Sequence, residues 1–223
     1  MPTLSPEVER LLVEAAEWRL FGLLFEYPTA EWRSNLTALV PVLAEELRVI
    51  AAAALEQWCE GLHIALFGPA GTVPVREVTY QGGVQFGYLM SELSAYYEAF
   101  GYQPQVEEAD DHLAIQLGFL AFLKLKQAHA LLNGDDDAAQ LTADAVESFQ
   151  KEHLAVQAEP VSRSLANFAP SFLEDAGRLI LERTGPSPRS AYPLAGAFPD
   201  ADDSEMLSCG PSAAGDDLIQ LQP

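Results

Sequence analysis

The chain has 223 residues, of which 49% are hydrophobic, and this is enough for one domain with a sizeable core. It carries 33 Asp and Glu residues against 12 Lys and Arg residues, which gives a formal net charge of −21. This charge argues against nucleic acid and anionic membranes as main partners, because both require a basic face, and it favours cationic partners.

The cysteines and the N-terminus indicate the compartment. Cys59 and Cys209 lie far apart and form neither a CxxC motif nor a disulfide framework. The N-terminus lacks the basic start and apolar block of a signal peptide, and no apolar run approaches the ~20 residues of a membrane span. We therefore expect a cytoplasmic protein without stable membrane association.

Three helices are predicted in the first 67 residues. The pair Ser5-Pro6 is typical of a helix start, and this first helix is expected to end at Tyr27. A second helix begins near Thr29 and is expected to bend at Pro41. The apolar spacing over residues 49–67 predicts a third, which Gly68-Pro69 ends.

The middle of the chain is organised around one very apolar helix. A glycine- and proline-containing loop, residues 68–83, precedes an aromatic-rich helix over residues 86–100. From Leu113 to Leu123 the only polar side chain is Gln116, so this helix is expected to be buried on nearly all sides. We expect Asp110 or Asp111 to cap its start, and Asn133-Gly134 to end it.

The last predicted helices are shorter. One starts at Asp135 and ends near His153, one covers residues 160–168, and one runs from Pro170 to Thr184 before Gly185. No segment alternates as a strand does; residues 73–80 come nearest, and Pro74 argues against them. The expected fold class is therefore all-α.

The composition changes after Gly185. Residues 186–223 contain six prolines, and after Arg189 there are six acids and no basic side chain. Such a segment cannot bury enough apolar surface to fold alone. We expect a single compact helical domain over residues 1–185 and a disordered acidic tail over residues 186–223, where the short apolar patch at residues 218–221 has no predicted role.

Few residues suggest catalysis. His112 beside Glu108, Asp110 and Asp111 suits either an acid/base site or a capped helix start with a locally hydrogen-bonded histidine, and the second interpretation is favoured. The four histidines show no metal-ligand spacing, so no metal is predicted. No nucleophile or phosphate-loop motif is present. Residue patterns alone indicate an acidic all-α binding module with no catalytic residues.

Several segments resemble a known family. They are Leu66-Phe67-Gly68-Pro69 with residues 74–80 (PVREVTY), residues 96–101 (YYEAFG), residues 108–113 (EADDHL) with 116–120 (QLGFL), and residues 149–154 (FQKEHL). Their order and spacing resemble the TorD/DmsD/NarJ family of molybdoenzyme maturation chaperones over about residues 10–183. Three positions depart from the family pattern: Asp110 replaces a usual proline, Thr79 a common serine, and Gln157 a frequent tryptophan.

The resemblance implies an all-helical cytosolic chaperone of the TorD-like type, without cofactors or enzymatic activity. Its partner would be the apo catalytic subunit of a molybdoenzyme of the DMSO-reductase or nitrate-reductase type, bound at a twin-arginine leader or N-terminal segment. Binding would support molybdenum cofactor insertion and prevent premature export. The resemblance allows a monomer or a dimer. A general helical adaptor and a GTP-binding or GTP-hydrolysing protein remain the alternatives.

The resemblance also suggests which residues bind the client. A twin-arginine leader has a cationic start, which needs carboxylates, and an apolar middle, which needs aromatic and aliphatic side chains. The candidates for client binding are Glu77, Tyr80, Tyr88, Glu108, Asp110, Asp111, His112, Gln116 and His153.

Overall fold

The computed structural model describes residues 4–82 and 86–186. The described residues form helices and turns, and they contain no strand beyond one isolated antiparallel bridge between Arg76 and His112. The helices are α1 (Pro6–Leu24), α2 (Ala30–Leu39), α3 (Glu45–Gln57), α4 (Glu60–Phe67), α5 (Phe86–Phe100), α6 (Leu113–Leu132), α7 (Asp136–Phe149), α8 (Ala155–Phe168) and α9 (Ser171–Thr184). The predicted all-α fold class is confirmed.

The predicted tail lies outside the described residues beyond Pro186, and so do Cys209 and the apolar patch at residues 218–221. In the described part, no helix has the length and apolar character needed to cross a membrane.

The helix α6 lies at the centre of the fold. Its residues from Leu113 to Ala121 are all buried, as the apolar run predicts, and Gln116 is the one polar side chain among them. The helix α1 packs closely against α6 at two glycines: a Cβ atom on Gly22 would lie 3.4 Å from the backbone nitrogen of Gly118. Small residues at this crossing allow the two backbones to approach.

Most predicted helix ends agree with the structure. Ser5, Thr29 and Asp135 each accept a hydrogen bond from the backbone N–H three residues later, and so cap α1, α2 and α7. Gly134 and Gly185 follow α6 and α9 with positive φ angles of 69° and 74°, a conformation that favours glycine. Local residue chemistry therefore determined these boundaries.

Two predictions in the N-terminal half are wrong in detail. The helix α1 ends at Leu24 instead of Tyr27, and α2 does not bend at Pro41 but ends at Leu39, before a 3₁₀ turn that contains this proline. The missing N–H of proline and its steric clash with the preceding turn explain why the α-helix does not continue.

The third predicted helix, residues 49–67, is two helices. The chain is extended at Trp58 (ψ 121°), between α3 and α4. The Trp58 indole is buried, and its Nε1–H donates to the carbonyl oxygen of Glu26 at 3.2 Å. This contact comes from a residue 32 positions away, and helical periodicity does not encode it.

The C-terminal half differs from the prediction at Pro160. The helices α7 and α8 are joined by a π-helical turn, Gln150–Leu154, so α8 begins at Ala155 and contains Pro160. Buried Val161 and Leu165 pack this helix into the core. Tertiary packing therefore overrides the usual tendency of proline to start a helix.

Candidate functional site

The segment of residues 74–81 lies against the start of α6. The backbone N–H of Glu77 donates to the carbonyl of Asp111 at 3.0 Å, and the N–H of Leu113 donates to the carbonyl of Val75 at 2.9 Å. These two hydrogen bonds form the isolated bridge of the fold. They bring together two of the segments that carry the family resemblance.

Asp111 strengthens this junction instead of capping α6. Its carboxylate is fully buried, forms an ion pair with Arg76, and accepts a hydrogen bond from the N–H of Val78 at 3.2 Å. The predicted cap at Asp110 or Asp111 is therefore wrong. The N-cap is His112, whose Nδ1 accepts from the N–H of Ala114 at 3.2 Å.

The environment of His112 keeps its ring neutral. Burial first, and then the nearby charges of Arg76 and His63, lower the pKa of His112 to about 4. A neutral ring is required here, because an imidazolium has no lone pair with which to accept the Ala114 N–H. The local hydrogen bond favoured from the sequence is therefore present.

Asp110 is held by the helix α5. Its carboxylate accepts a hydrogen bond from the Ser94 hydroxyl at 2.8 Å, and its carbonyl accepts one from the Tyr97 hydroxyl at 2.8 Å. Burial raises the pKa of Tyr97 well above its usual value, so this hydroxyl remains a donor.

A second buried polar cluster surrounds Glu77. One carboxylate oxygen accepts from Gln116 Nε2 at 2.5 Å, the other accepts from Gln81, and His153 Nδ1 lies 3.1 and 3.2 Å from the two oxygens. The Nε2 group of Gln157 donates in turn to Gln116 Oε1 at 2.7 Å. This cluster connects the 74–81 segment to α6 and to the α7–α8 junction.

The structure separates the nine predicted client-binding residues into buried and accessible groups. Glu77, Asp111, His112, Gln116 and His153 are buried. Tyr80 and Asp110 are half-buried, and the Tyr80 hydroxyl donates to the Pro74 carbonyl at 2.6 Å. Burial also raises the pKa of Tyr80 to about 12. Glu108 and Tyr88 are exposed, Tyr88 with 66% of its surface accessible.

Beside this region lies an apolar groove of about 340 Å³ between α1, α6 and residues 102–106. Its walls are mainly aliphatic and aromatic; they include Leu12, Ala15, Ala16, Leu39, Tyr102, Val106, Ala121, Phe122 and Leu125. We call this the apolar groove. Its apolar lining suits the apolar side chains of a bound helix or extended segment.

An acidic depression of about 350 Å³ continues from the apolar groove, and the two share Arg19, Glu26, Gln105 and Val106. Its acidic side chains are Glu26, Glu31, Glu107 and Glu108. Glu26 forms an ion pair with Arg19 at the junction. Glu31, Glu107 and Glu108 form no ion pair within the described residues, so three carboxylates remain for a cationic ligand.

The sequence patterns predicted only some of the residues that line the apolar groove and the acidic depression. The acidic run before α6 identified Glu108, but Leu12 and Ala16 follow the same periodicity as core residues and carry no separate signal. Both residues line the apolar groove because α1 packs against α6, and the periodicity of α1 does not encode this pairing of helices.

The sequence was compared with protein-family models and with curated proteins. The sequence model of the nitrate reductase delta subunit family matches residues 29–173, which is well over half of the chain. A comparison with curated proteins finds no match.

Proposed function

The chain belongs to the nitrate reductase delta subunit family, a family of molybdoenzyme maturation chaperones, and from this premise we propose that it binds the apo catalytic subunit of one molybdoenzyme. The bound part is the N-terminal segment of that subunit, with or without a twin-arginine leader. The protein acts in the cytoplasm, catalyses no reaction, and releases its client after the molybdenum cofactor has been inserted.

The observation that carries this proposal is the continuity of the apolar groove with the acidic depression. A leader with a cationic start and an apolar middle matches this order of surfaces. Arginine pairs with carboxylates in a bidentate geometry, and an apolar helix is stabilised in a groove lined by Leu, Tyr and Phe. The net charge of −21 adds long-range attraction for a cationic segment.

The predicted client-binding residues take different roles in this proposal. Glu108 contacts the cationic start, together with Glu107 and Glu31. Tyr88, on the exposed face of α5, contacts a more distant part of the client. The buried and half-buried residues act indirectly, because they hold the 74–81 segment and the start of α6 in place beside the acidic depression. They are Glu77, Tyr80, Asp110, Asp111, His112, Gln116 and His153.

The proposal is tested by affinity capture of the tagged, full-length protein from its native host grown anaerobically. We expect the dominant partner, identified by mass spectrometry, to be one molybdoenzyme catalytic subunit that lacks its cofactor. A capture without any molybdoenzyme would contradict the proposal and favour a general helical adaptor. Capture of the mature, cofactor-loaded subunit in equal amount would contradict the role before cofactor insertion.

A further inference from the structure

We propose that Glu92, Glu152 and His153 bind one divalent transition-metal ion of the Zn²⁺ type, with Glu77 positioning the histidine. One ligand atom from each of the three residues lies within 4.8 Å of the other two. Residue spacing does not indicate this site, because Glu92 is on α5 and the other two residues follow 60 and 61 positions later. This inference does not depend on the proposed function.

His153 supplies the observation that distinguishes this site from an ordinary group of acids. Its side chain is 1% exposed, and its Nε2 atom has no hydrogen-bond partner among the residues that the structure describes. A buried polar atom without a partner is unfavourable, because it has lost its hydration and gained nothing in return. A metal ion bound to Nε2 would supply the missing interaction.

Glu77 holds His153 in the tautomer that a metal requires. Its carboxylate accepts hydrogen bonds from Gln81 and Gln116, so it serves as an acceptor toward Nδ1 of His153 as well. In a neutral ring, an Nδ1–H group that donates to this carboxylate leaves the lone pair on Nε2. Carboxylate–histidine–metal arrangements of this kind are common in metalloproteins, where the carboxylate orients the ring and raises its basicity.

The π-helical turn Gln150–Leu154 carries two of the three ligands. Such turns occur frequently at functional sites, because the wider turn changes the direction of its side chains. Tyr96 supports one of these ligands: its hydroxyl donates to Glu152 Oε2 at 3.0 Å, which leaves Oε1 available. The Tyr96 ring also packs edge-on against His153, with the ring centroids 5.6 Å apart.

The ligand set and the geometry favour a borderline divalent ion. One imidazole and two carboxylates suit Zn²⁺ better than Mg²⁺ or Ca²⁺, which prefer oxygen ligands alone. In tetrahedral coordination with metal–ligand bonds of about 2.0–2.1 Å, two ligand atoms lie about 3.4 Å apart. Glu152 is exposed and Glu92 is half-buried, so small side-chain rotations bring the three ligand atoms to this spacing.

The test uses the full-length protein after removal of metals with a chelator. We expect isothermal titration calorimetry with Zn²⁺ to show one ion bound per chain, and we expect Zn²⁺ to raise the melting temperature. Co²⁺ should give an absorption spectrum without a thiolate charge-transfer band, because no cysteine takes part. The double variant Glu92→Gln/Glu152→Gln should bind Zn²⁺ at least ~100-fold more weakly, since two of three ligands are lost.

Two further variants complete the design. The control Glu56→Gln/Glu147→Gln removes two exposed acids elsewhere and should leave Zn²⁺ affinity unchanged. Glu77→Gln should reduce affinity about 10–100-fold while all three ligands remain, with its fold checked by circular dichroism. The proposal is overturned if no stoichiometric binding is found, if Co²⁺ shows thiolate ligation, or if Glu92→Gln/Glu152→Gln binds Zn²⁺ as the unmodified chain does.

Discussion

The Arg76–Asp111 ion pair joins a fully buried carboxylate to an arginine side chain that is 37% exposed. The same carboxylate also accepts a hydrogen bond from the backbone N–H of Val78, so one side chain holds the 74–81 segment at two points. A buried carboxylate with an ionic partner and a backbone donor is difficult to replace, because each partner would lose its interaction and regain only partial hydration.

We predict that Asp111→Ala lowers the free energy of unfolding by about 2 kcal/mol or more. The value lies below the ~3–5 kcal/mol typical of a broken buried pair, because Arg76 is partly solvated. Urea denaturation followed by circular dichroism measures the change. The control Glu107→Ala removes an exposed acid nearby and should change stability by less than about 0.5 kcal/mol. Equal losses for the two variants would contradict the structural role of Asp111.

The buried His112 should make stability depend on pH. Its pKa is about 4 in the folded protein and near 6.5 in the unfolded chain, because burial disfavours the charged ring. Between these values the unfolded chain binds a proton and the folded protein does not. The contribution of His112 to the free energy of unfolding should therefore be constant above pH 6.5. As the pH decreases from 6.5 to 4, this contribution should fall by about 3 kcal/mol.

The variant His112→Asn isolates this effect. Asparagine is a good N-cap residue, so the side-chain acceptor for the Ala114 N–H is retained while the titrating ring is removed. Urea denaturation at several pH values between 4 and 7 should show a smaller fall in stability for this variant than for the unmodified chain. Parallel curves for the two proteins would mean that His112 does not titrate as its burial requires.

The sequence predicted the fold well wherever local chemistry decides the structure. Capping residues such as Ser5 and Thr29 were identified correctly, because a cap interacts with the backbone three residues later. The break at Trp58 and the position of Pro160 inside α8 were not predicted. Both depend on contacts with distant parts of the chain, and helical periodicity does not encode these contacts.

The site was predicted less completely, for a related reason. The acids before α6 were recognised, but their environments differ: Asp111 is buried against the 74–81 segment while Glu108 is exposed. The pattern of acids alone does not distinguish these cases. The apolar groove depends on the close crossing of α1 and α6 at Gly22 and Gly118, which lie 96 positions apart in the sequence.

If the apolar groove binds the client, polar side chains on its walls should weaken binding. Leu12 and Leu125 line the groove and are 36% and 48% exposed, so their replacement should leave the core intact. We expect Leu12→Gln/Leu125→Gln to weaken binding at least ~10-fold, because two aliphatic contacts are lost. The measurement is fluorescence anisotropy with a labelled peptide that covers the N-terminal segment of the captured catalytic subunit.

The chain offers a matched control for this variant. Val13 and Leu132 lie on the same two helices and are 43% and 55% exposed, but they do not line the apolar groove. Val13→Gln/Leu132→Gln should therefore bind the peptide as the unmodified chain does. An equal loss of affinity in both double variants would show that the groove has no special role in binding.

The acidic depression should contribute to client binding through its negative charge, and this contribution should depend on the salt concentration. We expect Glu107→Gln/Glu108→Gln to weaken peptide binding about 3–10-fold at low ionic strength, because rim carboxylates act mainly through long-range attraction and are partly screened. The difference from the unmodified chain should shrink as salt is added, since the Debye length is only ~8 Å at physiological ionic strength.

The control for this prediction is again Glu56→Gln/Glu147→Gln, which changes the net charge by the same amount at two exposed sites outside the acidic depression. If overall charge alone attracted the client, both double variants would lose affinity equally at low salt. A larger loss for Glu107→Gln/Glu108→Gln would place the attraction at the acidic depression. Affinity that stays flat from low to high salt in the unmodified chain would contradict an electrostatic contribution from either source.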